Sequence, residues 1–260
     1  TDATLVEANG ADAQIDVADP EAPGGRREQT WHFASRAECL RCHNPWSGPP
    51  LGFNPLQLNR PQRASDETRI ASASGGPQRA GSGNQLERLT RLGLLVGEGA
   101  PEPPTKLADP QDSAADLADR ARSWLHANCA HCHRMHAGGS VLSLMNYELP
   151  LDQTRMLAAL PSQGAFGLPD GRVIAPGDPF RSVLFYHVST AGQGHMPRIG
   201  STLVDVQGAT LIHDWIKRMP QPPATAGGPD VESQRRERLA DQLRQFRENS
   251  SRAPEQLAPR

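Results

Sequence analysis

A chain of 260 residues has room for one large domain or two small ones, and its 24 glycines and 24 prolines put much of it in loops. With 37% hydrophobic residues and 5% aromatics it is poor in the side chains that offset conformational entropy, so a large apolar cofactor is expected to fill part of the interior. A net charge of -2 excludes the basic footprint of a nucleic-acid binder, and no apolar run approaches the ~20 residues of a membrane-spanning helix. The chain does not open on a signal peptide, which leaves open both a removed export signal and a longer parent polypeptide.

Residues 1–28 carry Asp2, Glu7, Asp12, Asp16, Asp19 and Glu21 with no basic residue before Arg26, a pattern that predicts a flexible acidic leader. Order is expected from Trp31-His32-Phe33 onward. Ser35-Arg36-Ala37-Glu38 is a capping box, so a helix starts at Ser35 and stops before Asn44-Pro45. Within it stands Cys39-Leu40-Arg41-Cys42-His43. An apolar patch of Leu51, Phe53, Leu56 and Leu58 follows, then a low-complexity run over 72–83. Asn84 opens a helix with Leu86, Leu89, Leu92 and Leu95 at helical spacing, predicted to be a short core helix, and Pro101, Pro103 and Pro104 mark a domain boundary.

Ser113 and Asp116 start a long helix that runs through Leu117, Ala121, Trp124 and Leu125 into Cys129-Ala130-His131-Cys132-His133. Residues 152–160 are helical by composition, and Asp178-Pro179 caps a helix leading into 183–188. A glycine- and proline-rich loop then carries His195 and Met196. Asp205 opens an amphipathic last helix with Leu211, Ile212, Trp215, Ile216 and Met219 on one face, and residues 229–248 predict a terminal helix beyond a proline-rich linker.

All four cysteines fall in two copies of C-x-x-C-H. On a helix, positions i, i+3 and i+4 share one face, so two thiols can add to the vinyl groups of a haem while the following imidazole ligates its iron. A four-cysteine zinc ribbon uses a gap of about 15–20 residues between pairs, far shorter than the stretch from Cys42 to Cys129, and leaves both histidines unexplained. A thioredoxin-like pair needs a strand-turn-helix setting, and disulfides give no reason for histidine at the same offset twice. The expected cofactors are therefore two covalently bound haem c groups, held by Cys39, Cys42 and His43 and by Cys129, Cys132 and His133. Met196 is the candidate sixth ligand of the second iron, with His195 its local rival. No methionine stands between His43 and Met135, so the first iron draws its sixth ligand from His32, His126, His136 or His187, or stays five-coordinate. His32 leads that group as the nearest in the chain.

The strings Ser35 to Cys39, Leu51-Gly52-Phe53, Gln57-Leu58-Asn59-Arg60, Asn84-Gln85-Leu86, Asn128 to His133, Ala175-Pro176-Gly177-Asp178-Pro179 and Met196-Pro197 resemble a group of bacterial diheme c-type cytochromes over residues 31–219. Residues 113–219 are similar in element order to a class I cytochrome c domain. The resemblance implies a mainly α chain of two small, loop-rich, cytochrome c-like helical domains, each built round a covalent haem. The leader is then 1–28, the first haem domain 29–105, the second 106–220, and the linker with its C-terminal helix or tail 221–260. It implies an exported bacterial protein of the periplasm or cell surface, an electron carrier rather than an enzyme. Its partner is then a redox protein such as a periplasmic sugar or alcohol dehydrogenase, and it delivers electrons to the respiratory chain. Leu58 stands where some relatives carry methionine. The alternatives are a diheme peroxidase-like enzyme with an open first haem, and an electron-transfer module of a larger oxidoreductase. Lysines number only two, Lys106 and Lys217, so a steering ring of lysines is absent.

Overall fold

Ile15 and Val17 alternate with Gln14 and Asp16, the period of a strand, and the computed structural model, which describes residues 3–20, 22–45, 51–61, 84–95 and 106–221, forms strand β1 over Ala11–Ala18. A turn at Pro23–Gly25 returns the chain into β2, Arg26–Phe33, antiparallel to β1 with Asp16 opposite Glu28 and Asp12 opposite His32. Residues 11–28 thus form most of a hairpin where the sequence predicts a leader without structure. Asp16 of β1 and Asp19 just beyond it find cations only after the turn, Arg26 on Asp16 at 2.6 Å and Arg27 on Asp19 at 2.7 Å. Cross-strand pairs of this kind are the unit of sheet stabilisation, and they cannot be seen by counting charge along the chain.

The capping box at Ser35 is formed, with Ser35 accepting from the Glu38 amide and Glu38 accepting from the Ser35 amide, and it starts helix α1, Arg36–Cys42. Two short helices follow, α2 over Pro55–Leu58 capped by Asn54 and α3 over Gln85–Arg91 capped by Asn84. Helix α3 buries none of its residues, and Leu92, Leu94 and Leu95 beyond it are exposed, so the predicted core helix is a surface helix. Asp116 accepts from the Ala118 and Asp119 amides and opens α4, Leu117–Cys129. The helix predicted over 152–160 is a single 3-10 turn, Leu151–Thr154, because Arg155 and Ala158 adopt left-handed φ of 59° and 52°, and the chain then bridges Leu157 to Ile174. A 3-10 turn at Pro179–Arg181 leads into α5, Val183–Ser189, and Asp205 caps α6, Val206–Arg218.

The core belongs to the second half of the chain. Ala121, Leu125 and Cys129 of α4 meet Ile212, Trp215 and Ile216 of α6, with Met156, Ile174, Leu184 and Val188 closing the sides. Asp205 joins the two long helices directly: one carboxylate oxygen accepts the Trp124 indole N–H at 2.9 Å and the other caps α6 through the Gly208 amide. Among the described residues before 106, only Cys42, Leu56 and Leu58 are buried hydrophobics. The expectation of a mainly α chain with two small, loop-rich, cytochrome c-like helical domains, each built round a covalent haem, is therefore corrected. The described residues form a mixed α/β structure, with one two-stranded sheet, three short helices after it in the chain and one helical core. The first half has too few apolar residues at helical spacing to build a second core of its own.

The proline boundary at 101–104 and the terminal helix predicted at 229–248 lie outside the described residues. No helix among the described residues is long and apolar enough to cross a membrane.

His32 ties the hairpin to α1, with Nδ1 2.6 Å from Asp12 and Nε2 2.9 Å from Glu38. Hydrogen bonds to Glu38 first and Asp12 second hold the His32 pKa above its ordinary 6.5, and the bond from His32, then those from Ser35, hold Glu38 down at about 2 from its ordinary 4.5. The His32 contribution is complete below pH 6.5 and fades as pH rises through its raised value; the Glu38 contribution is complete above pH 4.5 and fades as pH falls through about 2. Amide exchange at the β2–α1 junction, corrected for intrinsic rates, is expected to be slowest between those limits. Protection that stays flat from pH 4.5 upward through the alkaline range contradicts the clamp.

Candidate functional site

Each cysteine motif closes a helix. In the first, Cys39 and Cys42 stand on α1, Cys42 buried and Cys39 partly so, and His43 caps the helix with its amide donating to the Cys39 carbonyl at 2.9 Å while its side chain is exposed. In the second, Cys129 is the last residue of α4, and the amides of Cys132 and His133 both donate back to the Cys129 carbonyl, at 3.1 Å and 2.8 Å. That continued turn preserves the i, i+3, i+4 relation past the end of the helix. Burial in the core pushes the Cys129 thiol up to about 12, so it stays protonated at neutral pH.

The fold brings the two motifs together. Cys42 and Cys132 form a disulfide across 90 residues of sequence, with their Cα atoms 5.6 Å apart. Gly138 passes so close to α1 that a Cβ there would overlap the Arg41 carbonyl. The His131 ring lies against this junction: one ring nitrogen and the sulfurs of Cys42 and Cys132 are all within 4.8 Å of one another. Burial lowers the His131 pKa, and the charges of Arg134 and His43 push it the same way, so the ring is neutral and able to ligate. His131 occupies a variable position of C-x-x-C-H and carries no signal of its own in the sequence, and Gly138-Gly139, five residues beyond the motif's histidine, is the local sign of a close approach.

A cleft of about 310 Å3 beside the end of α4 is lined by Trp124, Asn128, Met196, Pro197 and Leu203 and, from the second motif, by His131. Met196 therefore opens on the same space as the end of α4. The Nδ1 atom of His133 is buried with no hydrogen-bond partner of proper geometry. The Ser143 backbone nearby favours the charged ring, but burial outweighs it and lowers the His133 pKa. A similar-sized groove lined by Phe185, Val204, Val206 and His213 contains no residue of either motif.

The remaining histidines separate by which lone pairs they leave. Both nitrogens of His32 are engaged by carboxylates, and those of His195 by the Thr190 carbonyl at 2.8 Å and the Ser201 hydroxyl at 3.0 Å. His126 is buried and accepts the Tyr147 amide on Nδ1 at 3.1 Å, which puts its proton on Nε2 and leaves no lone pair to offer. Burial holds His126 neutral against the pull of Glu148. His136 is exposed at a left-handed φ of 63°. His187 donates Nδ1–H to the Gly194 carbonyl at 2.6 Å, which leaves its Nε2 with a lone pair. Leu58 is buried in α2.

Two covalent haems are the group that two C-x-x-C-H motifs imply, and the donor set fits it on three counts. Each motif carries two cysteines and an imidazole at helical spacing, the Nδ1 atom of His133 is buried without a well-aligned partner, and the Met196 thioether shares a cleft with His131 of the second motif. Thioether bonds at Cys42 and Cys132 require their disulfide to be reduced first. Comparison with protein-family models, with curated proteins and with solved structures found no match to this chain.

In the cofactor-free chain, proteolysis without reductant is expected to yield one linked pair of peptides containing Cys42 and Cys132. Alkylation at neutral pH should modify Cys39 well before Cys129. Equal reaction of the two thiols contradicts the buried placement of Cys129.

Proposed function

We propose that this chain is a diheme c-type cytochrome that transfers electrons between an exported dehydrogenase or another redox protein and a respiratory acceptor. The observation that carries the reading is the pair of C-x-x-C-H motifs that takes up all four cysteines, and Met196 supports it by lining the cleft at the end of α4 together with His131 of the second motif. When bound, haem supplies reversible one-electron oxidation and reduction at iron. Cys39 and Cys42, and Cys129 and Cys132, would anchor the two groups through thioethers, with His43 and His133 as iron ligands. Met196 is the sixth ligand of the second iron in this reading.

The chain's own residues set the conditions. Trp124, Leu203 and Pro197 give the cleft around Met196 an apolar wall, and a thioether ligand, being neutral, would favour the reduced state. His43 is more exposed than His133, so the first site is the wetter one. Different surroundings of the two imidazoles split the two potentials. Attachment of haem through cysteine takes place outside the cytoplasm, which assigns the protein to the periplasm or cell surface.

A second reading rests on the Cys42, His131 and Cys132 cluster. Once the Cys42–Cys132 disulfide is reduced by an external thiol, two thiolates and an imidazole would form a donor set for a soft cation such as Zn2+, bound across the two motifs. It uses the same sulfurs as the first reading, so the two are exclusive.

Protein exported from a host competent in cytochrome c maturation is expected to show reduced and oxidised absorption of two thioether-linked haems. Met196→Ala is expected to lower one of two midpoint potentials on the order of 0.1 V, a fraction of the ~0.8 V range that axial ligands span, and to abolish the thioether-to-iron absorption. An unchanged potential and an intact band contradict Met196 ligation.

A further inference from the structure

We propose that His187 is the positioning residue for Met196, holding the Gly194–Met196 stretch of the loop through both its ring and its backbone without contacting iron. This rests on the reading of Met196 as a ligand, and it starts from two hydrogen bonds made by one residue. The His187 ring donates Nδ1–H to the Gly194 carbonyl at 2.6 Å, and the His187 carbonyl accepts the Met196 amide at 3.0 Å. Ring and backbone of His187 therefore straddle residue 195 and fix the peptides on either side of it.

The residue that does this is itself fixed. His187 lies on α5, whose Val183, Leu184 and Val188 are buried in the core. Phe166 stacks on Tyr186 with ring centroids 5.1 Å apart and meets the His187 ring edge-on at 4.7 Å, which holds both rings against the loop. The Tyr186 ring packs on Gly194, where φ is +95° and a Cβ would come within 3.0 Å of the ring, so only glycine brings its carbonyl to the His187 nitrogen. A carbonyl can only accept, so Nδ1 carries the proton and the tautomer of His187 is set by the loop it holds. Inside the loop, His195 braces Thr190 and Ser201 through its two nitrogens, which engages both of its ring atoms while Met196 beside it lines the cleft with its thioether uncommitted. A group held in one geometry loses less entropy when it ligates, so a preorganised loop favours Met196 over solvent or a rival side chain.

The test compares His187→Phe, which keeps a ring and loses the donor, with His187→Asn, whose side-chain amide restores an N–H near the Nδ1 position. Met196→Ala serves as the reference. Hydrogen exchange of the Met196 amide in the cofactor-free chain is expected to quicken ~tenfold in His187→Phe and to stay within about twofold of the parent in His187→Asn, the change that loss of one hydrogen bond predicts. In the haem-loaded protein, His187→Phe is expected to weaken the thioether-to-iron absorption that Met196→Ala abolishes, and His187→Asn to retain it. Unchanged exchange in His187→Phe overturns the proposal, as does equal behaviour of the two His187 variants. Equal quickening at the Leu125 and Ile212 amides also overturns it, since a merely structural histidine would loosen the whole core. If Met196→Ala leaves the absorption intact, the ligand reading fails, while the exchange data on the cofactor-free chain still decide whether His187 holds the loop.

Discussion

The packing of α4 against α6 sets the position of the second cysteine motif and of the methionine loop. Helix α4 ends in the second cysteine motif, α6 begins where the methionine loop ends, and Asp205 bonds to both, capping one and accepting the Trp124 indole of the other. Leu125, Ile212 and Ile216 are fully buried between them. Each such side chain contributes roughly 1.5–3 kcal/mol on burial, so the crossing is far stronger than any single contact in the loops it positions. The loop from 190 to 204 is thereby pinned at both ends, by α5 and by Asp205, and its Gly194–Met196 stretch is held over the end of α4.

The same crossing explains why the two motifs meet. Helix α1 has almost no core of its own, and its one buried cysteine, Cys42, packs on the turn after α4 where Gly138 admits the Arg41 backbone. The junction therefore gathers thiols and imidazoles from two distant segments: Cys42, His131 and Cys132 within reach of one another, with His43 close enough to act on His131. Such a gathering admits three chemical outcomes, a disulfide, a bridging soft cation, or separate covalent attachment at each motif. Only the third uses all four cysteines and both motif histidines. It also explains why a chain with so few apolar residues carries two C-x-x-C-H sequences.

Much of the helical structure was legible because its signals are local. Ser35 with Glu38, Asn84, Asp116 and Asp205 each cap the helix they predict, since a cap is decided within three residues. The hairpin was not legible, because Asp16 and Asp19 are neutralised by arginines across a turn that a window ending at Arg26 does not weigh. The segment after Pro150 failed for a different reason: its composition suits a helix, but Arg155 and Ala158 turn left-handed where the chain pairs with Ile174. At the site, the four cysteines, His43, His133 and Met196 stand out in the sequence as candidates by type and spacing, whereas His131 does not. Their arrangement was not, because the contact between Cys42 and Cys132 and the hold of His187 on Gly194 depend on packing that no short window contains.

The most direct measurement is the mass of the exported chain under denaturing, reducing conditions, which dissolve a disulfide and release a bound cation but leave thioethers intact. Covalent mass equal to two haems, lost from the first site in a Cys39→Ser, Cys42→Ser double variant and from the second in a Cys129→Ser, Cys132→Ser double variant, is the predicted result. A chain of unmodified mass that instead retains stoichiometric zinc under native conditions would contradict the account.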